Sequence, residues 1–275
     1  LGSYALYENT TGHGNTAVGR ATLYDNTTGF QNTAVGGNAL ENTTSGSLNV
    51  AVGTGSLQDN TTGSSNTALG YYCLPNTTTA GSNVAVGHYT LYDQTSGNDN
   101  VFVGHQAGRK QTTAAQNTAV GKNALFENTT ASGHTAIGYH ALYSNTSGTG
   151  NTALGYQAAY NNTTGYASTA LGYRAMYATT IGNNNVAVGE QALESNTEGS
   201  NNVAIGREAL EQQTTGGGNT ALGYKAMEGT TTGYFSVGVG AYAGDNMTTG
   251  HSNVYVGDNA GNTHATGYGC TVVGR

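Results

Sequence analysis

Charge is scarce in this chain. Lysine, arginine, aspartate and glutamate make up 8% of its 275 residues, against roughly a quarter in an ordinary globular domain. With eight cationic residues and a formal net charge of −7, it has no electrostatic grip for a phosphate backbone, which argues against nucleic acid as a partner. Tryptophan is absent, proline occurs once and cysteine twice. No run of about twenty apolar residues occurs, so no membrane-spanning helix is expected. The few acidic residues are spread out, leaving little chance for an acid, a base and a nucleophile to orient one another. The expectation is therefore no enzyme, no catalytic residue, no cofactor and no metal. What is abundant is glycine, tyrosine, asparagine and threonine.

These residues recur with a strict period. The glycine that follows the aliphatic residue of "TAVG" stands at Gly2, Gly19, Gly36 and so on to Gly274, always 17 residues apart. No insertion or deletion interrupts it. Linked globular domains tolerate drift in loop length, whereas a stack in which each residue sits above its counterpart does not. The period predicts an all-β chain, a parallel β-solenoid or β-roll of about sixteen 17-residue rungs. Residues 1–275 read as one repeat domain. Neither end looks like a cap, so the expectation is a piece of a longer fibre.

Each rung can be read column by column from its glycine. Three residues before it stands Thr or Val, and one residue before it Val, Leu or Ile, as in Thr152 and Leu154. This alternation predicts a short strand with that pair on its buried face. Between them Ala fills twelve of sixteen positions, and Asn stands four residues before the glycine in twelve of sixteen. Stacked Asn side chains can bond along a column. After the glycine come two variable residues, a small residue, then Leu or Met. An "NTTG"-like corner follows, its glycine expected to supply positive φ. Two short strands and two corners per rung are expected.

The exceptions carry information. Among the fifteen rungs where both columns are present, the central Ala is replaced at Phe102, Gly238 and Tyr255, and the Leu column becomes Gly on the same three rungs, at Gly108, Gly244 and Gly261. Phe102 and Tyr255 read as large residues filling the space of a missing Leu, so the two columns are neighbours in space. With the Ala pointing away from the face of Thr152 and Leu154, the rung would have a second apolar face. Ala153, Leu142, Phe102 and Tyr255 are accordingly expected to pack between chains.

The motifs "NTAVGxxAL" and "NVAVGxxAL" resemble the head repeats of trimeric autotransporter adhesins of the YadA type, with their "SVAIGxxS" rungs of about fourteen residues. They also resemble repeat shafts of phage tail fibres. The resemblance covers the whole chain, at five residues per repeat. It implies a left-handed roll, association as a homotrimer or homopolymeric fibre, and an extracellular place on a virion tail or cell surface. The departure is the longer rung, with its extra "NTTG" corner.

Two sets of residues are candidates for ligands. Tyr143, Tyr160 and Tyr177 recur in the column after Leu, and Tyr139, Tyr156 and Tyr173 in the column after the glycine. Stacked rings stabilise a solenoid, and they also suit contact with cell-surface glycans. Sequons for N-glycosylation occur at Asn9, Asn26, Asn42, Asn60, Asn76, Asn128, Asn145, Asn161, Asn162 and Asn246, near one corner, where Asn and Thr also make good turns. His88 and His105 share a column without a third metal ligand. Cys73 and Cys270 replace small or Asn residues in different columns, too far apart for a disulfide. The leading expectation is a non-enzymatic shaft or stalk. The alternatives are a glycan-binding or glycosylated filament and, more remotely, an ice-binding solenoid prompted by the Thr column.

Overall fold

A computed structural model describes residues 2–263 and 265–274. The described residues form an all-β parallel solenoid with one three-residue strand per rung. The chain divides into two compact units, Leu1–His134 and Thr135–Arg275. The first contains seven strands, from β1 (Thr16–Val18) to β7 (Thr118–Val120), and the second nine, from β8 (Thr135–Ile137) to β16 (Thr271–Val273). Within each unit every strand pairs in parallel with the next, like upon like: Thr16 with Thr33 and Ala17 with Ala34 in the first, Thr169 with Thr152 and Ala170 with Ala153 in the second.

The strand faces are the reverse of the expectation. The central Ala points inward and is fully buried, as at Ala34, Ala85, Ala153 and Ala187. The flanking Thr, Val, Leu and Ile point outward. The reason is the narrow interior. The Leu of the following turn segment fills it, as Leu142 does at full burial, and only a methyl group fits opposite. Ala153, Leu142, Phe102 and Tyr255 therefore form the core of the single chain, each with no exposed surface. Their assignment to an inter-chain contact is corrected: they pack within one chain.

The size exchange between the two columns is real. A side chain on Gly108 would collide with the Phe102 ring, and one on either Gly244 or Gly261 with the Tyr255 ring. One tyrosine thus fills the space left by two missing leucines. This also accounts for Gly238, where an added Cβ would meet the Met227 side chain.

The expected second strand is absent. The stretch after the glycine column is a run of turns in which alternate residues have positive φ, for example Gln157 at 53° and Ala159 at 49°. The flips aim successive N–H groups at neighbouring rungs: Gln157 donates back to Tyr139 at 2.9 Å, and Ala159 forward to Ala175 at 2.9 Å. Positive φ is hostile to branching at Cβ. Among the described residues no Val, Ile or Thr occupies such a position, whereas Leu and Met do so repeatedly. This is why the inner column holds Leu and Met while the strands hold Val and Ile.

The glycines divide by role. The column after the strand has φ between 112° and 147°, as at Gly155 and Gly172, a region closed to other residues. The "NTTG" glycine, by contrast, is not at positive φ. A Cβ on Gly165 would run into the Asn162 side chain and the Gly182 carbonyl, so smallness is what that corner requires.

Polar ladders complete the interior. The amide N–H of Asn49 donates to Asn32 Oδ1 at 3.0 Å, and that of Asn66 to Asn49 Oδ1 at 2.9 Å. Each side-chain amide closes the corner of the next rung, as Asn49 Nδ2 does on the Gly63 carbonyl at 2.9 Å. The second unit repeats this from Asn202 to Asn185 and from Asn219 to Asn202, both at 2.9 Å. The Thr column has its own ladder: each hydroxyl donates to the carbonyl one rung on, from Thr163 to Thr180 at 3.0 Å and from Thr180 to Thr197 at 3.1 Å.

Two outcomes follow from the core. Phe102→Ala costs about 3–5 kcal/mol and Gly108→Leu about 1–3 kcal/mol. The two together restore the Ala and Leu pair of other rungs and unfold at a higher temperature than either single variant. Additive losses in thermal unfolding would refute the coupling. Leu142→Met costs less than about 1.5 kcal/mol, while Leu142→Ile, of equal volume, unfolds at lower temperature because it strains φ by roughly a further 1 kcal/mol or more.

Candidate functional site

The chemistry-bearing side chains gather on the turn segment of each rung, because alternate residues there face outward. In the second unit this brings the predicted tyrosines together. Tyr139, Tyr156 and Tyr173 stack at centroid separations of 5.2 and 5.4 Å, and Tyr143, Tyr160 and Tyr177 at 5.1 and 5.4 Å, all within 14° of parallel. His140 bridges the ladders, 3.9 Å from Tyr139 and 4.9 Å from Tyr143. Arg174 lies 4.3 Å above the Tyr177 ring and pairs with Glu194 at 2.8 Å. Burial, followed by the neighbouring rings of Tyr143 and Tyr177, raises the Tyr160 hydroxyl above its ordinary pKa. The faces of these rings are largely taken up by one another. What they offer a ligand is a row of edges and hydroxyls.

The sequons divide into two groups. Asn26, Asn60, Asn128, Asn145 and Asn162 point inward and are buried. Their amides close the corner, for instance Asn60 to the Gly63 carbonyl at 3.0 Å and Asn162 to Gly165 at 3.0 Å. A glycan on the side-chain nitrogen would have to displace that bond, so these five are corrected as glycosylation candidates for the folded chain. Asn42, Asn76, Asn161 and Asn246 stand one column earlier and reach the surface, as does Asn9. Asn42 donates to Asp59 Oδ1, Asn76 to the Tyr92 carbonyl and Asn246 to the Asn262 carbonyl, at 2.7 to 2.8 Å.

The first unit carries the His pair. His88 and His105 stack at 5.2 Å, with Tyr71 stacked on His88 at 5.3 Å. Burial, and then His88, holds the His105 pKa below its ordinary value. Among the described residues neither joins a three-ligand cluster. Cys73 is fully buried, its thiol pushed up to about 12 by burial, which makes it an unreactive part of the core.

Carboxylates replace the tyrosines further along the second unit. Glu194, Glu211, Glu228 and Asp245 succeed one another in the column of Tyr177. Oxygens of Glu208, Glu211 and Glu228 lie within 4.8 Å of one another. Lys225 already bonds this group, at 2.9 Å from Glu208 and 3.1 Å from Glu228, and Arg207 approaches Glu208 to 2.6 Å. The hydrogen bond from Lys225 is the main cause that lowers the Glu208 pKa. Burial, then Glu228 and its acidic neighbours, raises that of Glu211.

The sequence reading missed the outward strand face. On every strand the residues that flank the central position point out, leaving Leu69 and Val101 exposed in the first unit, and Leu154, Leu171 and Leu222 in the second. Alternation shows that a strand has two faces; it does not say which one is inside. The exchange of Ala for Phe102 opposite Gly108 was the available signal, since two columns that trade volume must share one interior.

No family model matches the chain, and neither does a curated protein or a solved structure. Among the described residues no helix is long and apolar enough to cross a membrane.

The opposed shifts of Glu208 and Glu211 have a measurable sign. Glu211 holds its proton in the folded chain at a pH where the unfolded chain has lost it, so its contribution falls as pH rises through the carboxylate range. Glu211→Gln therefore raises the unfolding temperature at neutral pH, and the gain vanishes on acidification. Glu208 binds its proton less well when folded, so Glu208→Gln lowers the unfolding temperature at neutral pH, a loss that shrinks in acid. Thermal scans across pH check both signs.

Proposed function

We propose that the chain is a structural, non-enzymatic fibre segment, the shaft or stalk of a phage tail fibre or a bacterial surface adhesin, acting outside the cell as a homotrimer. The observation that carries this reading is the exposed aliphatic strand face. Leu154 and Leu222 retain 42% and 44% of their surface, and the same two columns are filled on every rung by Thr, Val, Leu or Ile. A contiguous apolar strip of this kind marks an interaction surface. Its regularly spaced ranks suit a second copy of the same chain, whose rungs repeat at the same interval. The resemblance to YadA-type heads supports three copies.

The remaining surface fits a shaft. The Thr hydroxyls that prompted the ice-binding alternative are committed to carbonyls of the neighbouring rung, which supports a structural task for that column. The alternative of glycan contact keeps one specific support, the exposed hydroxyl-bearing edges of Tyr139, Tyr156 and Tyr173.

Sedimentation analysis tests the assembly. The unaltered protein is expected at three times the 27.9 kDa of one chain. Leu154→Glu combined with Leu171→Glu is expected at one chain mass with its β-rich circular dichroism retained. A folded, single-chain species for the unaltered protein would overturn the reading.

A further inference from the structure

Among the described residues of the second unit, the two columns on the corner between "NTTG" and the strand are both without side chains on one rung. Most rungs carry side chains there, such as Tyr166 and Ala167, Asn183 and Asn184, or Ser200 and Asn201. Gly217 and Gly218 carry none, and with Gly216 they form the chain's one run of three glycines. The next rung places Tyr234 and Phe235 in the same columns. The result is a notch of about 480 Å³, bounded by Ser200 and Asn201 on one side and the two rings on the other.

The notch combines the groups that a sugar ring requires. Phe235 is 70% exposed, and Tyr234 beside it, ring centroids 6.2 Å apart, is also exposed. The Phe235 ring leans over the bare backbone of Gly218, where an added Cβ would lie 2.6 Å from it. Unlike the rings of the tyrosine ladders, it has no ring stacked upon it from the preceding rung, where Gly218 stands. Polar residues complete the wall: Asn201, Thr215 and Glu198. A hexopyranose has an apolar C–H face for the ring and hydroxyls for the polar wall. The wall includes one carboxylate and no cation, which disfavours uronic and sialic acids and favours neutral or amino sugars.

We propose that the notch at Gly217–Gly218 is a binding site for a neutral or amino-bearing hexopyranose, with Phe235 as its platform and Asn201, Thr215 and Glu198 as hydrogen-bonding partners. The backbone supports this role. Phe235 has φ 54° and Gly218 φ 70°, the left-handed region that this column adopts along the stack. The notch is thus made by removing side chains, with the path of the chain unchanged.

The same fact supplies a clean test. Gly217→Ser installs the residue that stands one rung earlier at Ser200 and leaves Gly218, over which the Phe235 ring lies, unchanged. Methyl glycosides of glucose, galactose and mannose, with glucosamine and N-acetylglucosamine, are titrated into the full chain by NMR and calorimetry. At least one is expected to bind. Phe235→Ala and the filled variant are each expected to weaken that binding at least tenfold with unfolding temperatures close to that of the parent. Tyr160→Ala is expected to leave it unchanged. The proposal is overturned if no sugar of the set binds, if binding survives both notch variants, or if it is lost with Tyr160→Ala instead. Sedimentation of the same samples keeps this result separate from the assembly reading: loss of sugar binding with the oligomer intact concerns the notch alone.

Discussion

Most peptide groups in this solenoid find their partner in the rung before or the rung after, with short turns such as Ala158 N–H to the Gly155 carbonyl closing within a rung. That constraint governs the rest. The strand amides, the alternating turn amides, the Asn side chains and the Thr hydroxyls all bond along the stack. A bond of this kind closes only if the counterpart residue stands at the same place one turn later, so rung length has no tolerance. Glycine follows from the same requirement. At Gly155 the φ of 141° and the nearness of the next rung exclude any side chain. At Gly165 the angle is ordinary and only the crowding excludes one.

The interior is correspondingly thin. One rung offers an Ala, a small residue, a Leu and a few amides, and the core gains size only by repetition. Volume is conserved locally: Phe102 grows where Gly108 shrinks, and Tyr255 occupies the space of two leucines. Such exchanges are tolerated because each rung touches only its neighbours, and the disturbance ends there.

Much of this was legible beforehand. Period, fold class, the Asn ladder and the pairing of the Ala and Leu columns could be read because each depends on residue type and spacing. The sidedness of the strand could not, because Thr152 and Leu154 look like core residues by hydropathy. They lie outside because Leu142 has already filled the space within. The turn segment was misread as a second strand because positive φ at residues such as Gln157 and Met176 leaves no signature of its own. Its trace is negative, the absence of β-branched residues from that column. The sequons misled for a related reason. Asn60 and Asn76 carry the same tripeptide chemistry, but a shift of one column turns one amide into the core and the other toward the surface.

Register pairing has a consequence for how such a chain can change in length. Because Thr169 faces Thr152 and Ala170 faces Ala153, deleting or duplicating one whole period re-joins identical neighbours, whereas losing a single residue misaligns every ladder beyond it. Reach is thus adjustable only in steps of seventeen codons. Unequal recombination between near-identical repeats delivers steps of that size, so the repetition that builds the molecule also supplies a genetic means of lengthening or shortening it.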